Sequence, residues 1–184
     1  MKIQQQRVEQ IMALNLDPMK VKLMDAEDGE GWSREQCDVV ETWYKRFLVL
    51  NLLYPDKSIV PSKEIDEMWH YHILDTEKYA EDCRDIFGYF VHHFPYFGMR
   101  GDEDAQHLQA AFVETQELYV KEFGKSLSEL RAVFHGEEAA KCDGSHCGSS
   151  DCSKCGRSCT TGKCSPDQAG RVDYSIRPSL AMVN

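Results

Sequence analysis

The sequence predicts an all-α fold, a compact bundle of about four to six helices followed by a low-complexity, cysteine-rich C-terminal tail. Three observations lead there. Apolar residues recur every three or four positions over the first 140 residues. Residues that start and stop helices punctuate that recurrence. Strand signals are nearly absent, since the β-prone stretches KSIV and VHHF are too short to build a sheet. A chain of 184 residues suits one domain with a real core plus a tail, and the change of composition puts the body at 1–140 and the tail at 141–184.

The N-terminal stretch carries Val8, Ile11, Met12 and Leu14 interrupted by Gln, Glu and Arg. It lacks the continuous apolar segment of a signal peptide. Ser33 and Gln36 have capping-box spacing ahead of Cys37, Val40, Tyr44, Phe47, Asn51 and Tyr54, and Pro55 ends the run, so one long helix is expected there. After the turn PDKSIVP, Ser62 is placed to cap a second helix, with Glu64 in its first turn, running through IDEMWHYHILDT toward Cys83 or Phe87, with Asp75 and Thr76 equally suited to cap a local kink. Gly88 is a natural stop. The segment YFVHHFPYFG contains Pro95 and ends in Gly98, which predicts a loop or a short helical turn. A third helix is expected from Asp102 or Asp104 to Gly124, burying Leu108, Phe112, Thr115, Tyr119 and Phe123. Ser126 and Glu129 offer another capping box ahead of Leu127, Leu130, Val133 and Phe134.

Charge narrows the function. The formal net charge is −10, and residues 1–141 hold 27 acidic against 16 basic side chains. Such a body repels phosphate backbones, and no cluster of Lys and Arg with interleaved aromatics offsets it. Neither nucleic acid nor an anionic membrane is an expected partner. The longest apolar run, Phe47 to Leu50, is far short of the roughly 18 residues of a membrane span, and a cytoplasmic location is expected. Eight cysteines in a reducing compartment point to thiols or metal ligands rather than a disulfide framework. No nucleophile elbow, phosphate-binding loop or zinc-protease motif is present to suggest an enzyme class.

At about 100° per residue, Asp66 and His70 share one face of a helix, whereas His72 lies roughly 200° from His70. Both histidines therefore cannot point at one site. In an unbroken helix His72 joins a packing stripe with Trp69, Thr76, Tyr79 and Cys83, and Cys83 sits roughly 16 Å along the axis from it, too far to chelate the same ion. The coherent constellation is Asp66 and His70 with His92 or His93, provided that the turn at Gly88 brings the His-His dipeptide back over the start of the helix. Such a set suits zinc or iron, and His72 is a metal-ligand candidate apart from it, on the other face. Asp66 is either a ligand or the acceptor that fixes the His70 tautomer. The competing reading is a polar structural contact on a solvated helix.

The string IVPSKEIDEMWHYHILDTEKYAEDC followed by FGYFVHHFPYFG resembles the signature of the glycine-rich domain-containing protein-like family, over roughly residues 30–125. The positions that match its motif are Asp66, Trp69, His70, His72, Tyr79, Asp82, Cys83 and one of His92 and His93. The resemblance strengthens the metal-site reading. This chain departs from the family pattern in its tail, which is rich in Cys, Ser and Gly rather than in glycine alone.

That tail places Cys142, Cys147, Cys152, Cys155, Cys159 and Cys164 within 23 residues with no large apolar side chain, so it has nothing from which to build its own core. Only Cys152 and Cys155 have the short spacing of a zinc knuckle. The composition suits a soft thiolate site for zinc or copper(I) that orders the chain on binding. The expected function is therefore metal binding, with metal handling as the role, through a His/Asp site in the body and thiolates in the tail. Two alternatives are a carrier or leader-like body that presents the tail to a modifying enzyme or other protein partner, and a metal-dependent enzyme.

Overall fold

The computed structural model describes residues 2–135, and all seven helical elements of this part have no strand among them. The six tail cysteines and the boundary at residue 140 lie outside the described residues. In chain order the elements are α1 (Lys2–Met12), α2 (Asp17–Met24), α3 (Arg34–Leu53), α4 (Lys63–Leu74), α5 (Thr76–Ile86), α6 (Asp102–Phe123) and α7 (Leu127–His135). None is long and apolar enough to cross a membrane.

Helix α3 is the axis of the bundle, contacting α1, α2, α4, α6 and α7. Its capping box closes as the spacing requires: Ser33 Oγ accepts from Gln36 N at 3.1 Å and Gln36 Oε1 accepts from Ser33 N at 2.8 Å. Cys37, Val40, Tyr44 and Phe47 are fully buried, and Trp43, Leu48, Val49 and Leu50 join them, so the second half of α3 is apolar nearly all round. A helix of that kind belongs at a centre. Aromatic rings bind the other helices to it, with Phe47 5.0 Å from Trp69 of α4 and Trp43 5.3 Å from Tyr119 of α6. The α2 start, which the periodicity did not reveal, carries a proline in its first turn, where a missing N–H is harmless.

Three local expectations are corrected. The helix through IDEMWHYHILDT does not run on to Cys83; it breaks at Asp75 (φ −79°, ψ 72°) into α4 and α5. The break lets residues ten apart touch, which a straight helix would hold about 15 Å apart. Trp69 Nε1 reaches Tyr79 Oη at 2.9 Å and His72 Nε2 reaches Asp82 at 2.9 Å. At α7 the second capping box does not close, because Ser126 Oγ accepts from Ser128 N and the Glu129 carboxylate takes Lys125. Ser62 does stand at the N-cap of α4, but its hydroxyl donates to Glu64 at 2.8 Å rather than capping the backbone.

Between α5 and α6 the chain forms a strap. Gly88 turns it with φ 79°, a conformation that suits only glycine. Its far end is pinned by Asp104, whose carboxylate accepts from Gly98 N at 2.6 Å, from Arg100 N at 3.2 Å and from the Arg100 guanidinium at 2.6 Å. Burial alone would raise the Asp104 carboxyl, but the Arg100 guanidinium and the two backbone N–H groups outweigh it and hold it below 3.8. A carboxyl with a depressed folded-state pKa stabilises fully above its unfolded value and loses that contribution as pH falls through the folded value. Asp104→Asn should thus cost about 2 kcal/mol at pH 7 in urea unfolding, and its deficit against the wild type should shrink as pH drops below about 4.

Candidate metal centre

Helix α4 turns Ile65, Met68, Trp69 and His72 into the core and leaves Asp66 and His70, one turn apart, on its other face. The strap returns over that face. Val91 is buried and its carbonyl accepts the Tyr79 hydroxyl at 2.5 Å, which anchors the strap two residues before His93. The His93 ring then rests between Trp69 and His70, 4.7 Å from each.

Three ligand-type atoms converge as a result. His93 Nε2 lies 3.0 Å from Asp66 Oδ1 and 3.1 Å from His70 Nε2, and His70 Nε2 lies 3.7 Å from Asp66 Oδ2. Bonds of about 2.1 Å to one ion put neighbouring ligand atoms about 3.0 Å apart in an octahedron and about 3.4 Å apart in a tetrahedron. The two edges that meet at His93 fall in that range, and the third, from His70 to the other carboxylate oxygen, is about 0.3 Å wider; with one ligand atom from each residue within 4.8 Å of the others, Asp66, His70 and His93 can hold a metal ion. Hydrogen bonding alone satisfies the trio less well, because one proton on His93 Nε2 must be shared between two acceptors. The site grades outward: the side chain of His93 is 16% exposed, that of Asp66 32% and that of His70 40%. Water and ions reach it from the His70 side.

The other expected site residues are placed elsewhere. His72 does not join the trio, since its Nδ1 faces Tyr44 Oη at 2.8 Å and its Nε2 faces Asp82 at 2.9 Å. With the proton on Nε2, the ring donates to Asp82 and accepts from Tyr44. Burial drives the Tyr44 hydroxyl far above its ordinary range, which keeps it a donor. Burial would raise Asp82 as well, but His72 and Lys78 outweigh it and keep the carboxyl below 3.8. His92 packs against Phe90 at 5.0 Å and is not one of the three. Burial raises the Cys83 thiol, and Cys83, like Cys37, is a buried free thiol in the core.

The periodicity did not reveal the clamp that aims His93. Trp69 Nε1 donates to Tyr79 Oη, and Tyr79 Oη donates to Val91 O, so one hydroxyl joins α4, α5 and the strap. The ten-residue spacing of Trp69 and Tyr79 carries that meaning only once the helix breaks at Asp75.

A family model described as UCP032817-like matches residues 6–141. The chain belongs to the UCP032817-like family. The matched span contains the whole trio and stops one residue before Cys142. No curated protein and no solved structure matches the chain. In this UCP032817-like body, the residues around the trio divide into two groups: Asp66, His70 and His93 turn one ligand atom each toward one another, whereas Trp69, His72, Tyr79 and Asp82 spend their polar atoms on one another, on Tyr44, on Lys78 or on the strap.

Removing the Tyr79 hydroxyl leaves the Trp69 N–H and the Val91 carbonyl without their partner. Tyr79→Phe should cost about 2–4 kcal/mol in urea unfolding, more than Tyr96→Phe on the half-buried part of the strap.

Proposed function

We propose that this protein binds a divalent metal ion through Asp66, His70 and His93 and acts in metal handling, with the thiols from Cys142 to Cys164 as a second, softer site. The observation that carries the reading is the meeting of a carboxylate and two imidazoles from two separate segments with edges of 3.0, 3.1 and 3.7 Å. Two nitrogens and a carboxylate oxygen suit zinc, or iron with open positions. The partial exposure of His70 supports exchange of the ion with solvent. The likeness to the glycine-rich domain-containing protein-like family belongs to the same proposal, because the motif positions it picks out include Asp66, His70 and one of His92 and His93. A metal-dependent enzyme is a second reading, favoured by the cleft that borders Asp66 and His93.

Cobalt(II) titration of the full chain tests the site. The wild type should show d–d absorption of a nitrogen and oxygen site, distinct from thiolate charge-transfer bands. His70→Ala and His93→Ala should each weaken that signal's affinity by at least about 100-fold, and His92→Ala should leave it within about threefold. If His92→Ala and His93→Ala behave alike, the assignment fails. Stripping the metal with a chelator should lower stability by about 2.7 kcal/mol relative to protein held at 100 times the dissociation constant.

A further inference from the structure

A cleft of about 230 Å³ opens beside the trio, between the turn at 57–61, the start of α4 and the strap. Asp66 and His93 belong to its lining, and Ile59, Trp69, Phe94 and Phe97 give it apolar faces. The wall is fixed in place: the Arg100 guanidinium stacks 5.0 Å from the Phe94 ring and is itself held by Asp104.

The charge of this cleft runs against that of the body. Residues 1–141 carry 27 acidic and 16 basic side chains, yet the lining holds Lys57, Lys63, His92 and His93 and a single carboxylate, Asp66. That carboxylate is one of the three candidate ligands, so a bound dication more than neutralises it. Lys57 is paired with Glu114. The Lys63 ammonium has no ion pair or hydrogen bond among the described residues and stands three residues before Asp66 on α4, on the same side of the helix. A concave site that sets aromatic side chains beside an unpaired ammonium and a cation site concentrates anions that also carry apolar surface.

We infer that the cleft binds a small organic carboxylate with an aromatic or apolar body, its carboxylate directed at the ion and Lys63 and its body against Phe94 and Phe97. The inference rests on the metal reading and names the ligand class of that same site. An inorganic anion leaves the aromatic wall unused, and the volume is too small for a polymer.

The test uses the full chain saturated with zinc, so that the tail thiols and the trio are both supplied, and 4-fluorobenzoate as the probe, followed by fluorine NMR. Zinc loading is measured first, through its loss in His93→Ala. The probe should bind the loaded wild type, bind about 5- to 30-fold more weakly to Lys63→Gln, and bind unchanged to Lys125→Gln, a remote surface position. Trifluoroacetate, which lacks the ring, and 4-fluorobenzyl alcohol, which lacks the charge, should each bind at least about tenfold more weakly than 4-fluorobenzoate. If zinc loads at the trio and Lys63→Gln binds the probe as the wild type does, or either control equals the probe, the cleft assignment is overturned and the metal reading stands. If zinc does not load there, the metal reading falls. Binding to the metal-free chain that depends on Lys63 then supports the cleft, and its absence overturns it.

Discussion

The hydroxyl of Tyr79 is the contact on which the site depends. The residue is 1% exposed, and its oxygen accepts from Trp69 Nε1 and donates to Val91 O. Buried polar groups that lose a partner are costly, so this oxygen can be satisfied only where α4, α5 and the strap meet in one arrangement. The arrangement fixes Val91, and the chain then has two residues in which to reach His93. Among the described residues no buried side-chain nitrogen or oxygen lacks a partner.

His70 and His72 show how the same fold sends neighbouring residues to different tasks. Two residues apart on a helix, they face nearly opposite ways. His72, 1% exposed, is spent on Tyr44 and Asp82 and links α3, α4 and α5. His70 is left at the surface with a ring nitrogen turned toward His93 and Asp66. The buried imidazole holds the bend at Asp75, and the bend sets where α5 starts and hence where the strap returns. One histidine therefore supports the geometry that gives the other its partners.

Electrostatics adds a second layer. An acidic body is a poor host for anions in general, but the fold gathers Lys57, Lys63 and two histidines around one cleft whose sole carboxylate belongs to the trio. At the other end of the strap, the Asp104 carboxylate meets the Arg100 guanidinium, and that guanidinium lies over Phe94. The strap thus contributes a ligand at its middle and a braced aromatic wall beyond it.

Much of the fold was legible in the sequence. The α3 capping box, its apolar stripe, the end of α6 at Gly124 and the turn at Gly88 follow from local spacing, because helix periodicity and backbone preferences act over a few residues. Local spacing also determined that Asp66 and His70 share a face and that His72 cannot join them. A kink at Asp75 and Thr76 was open in the sequence but not decided by it, since its reward, the contacts of Trp69 with Tyr79 and His72 with Asp82, spans ten residues and exists only after folding. The choice of His93 over His92 was likewise decided by tertiary structure alone. Adjacent residues on a non-helical strap present their rings in different directions, and only the anchoring of Val91 by a distant hydroxyl determines which of the two rings turns toward α4.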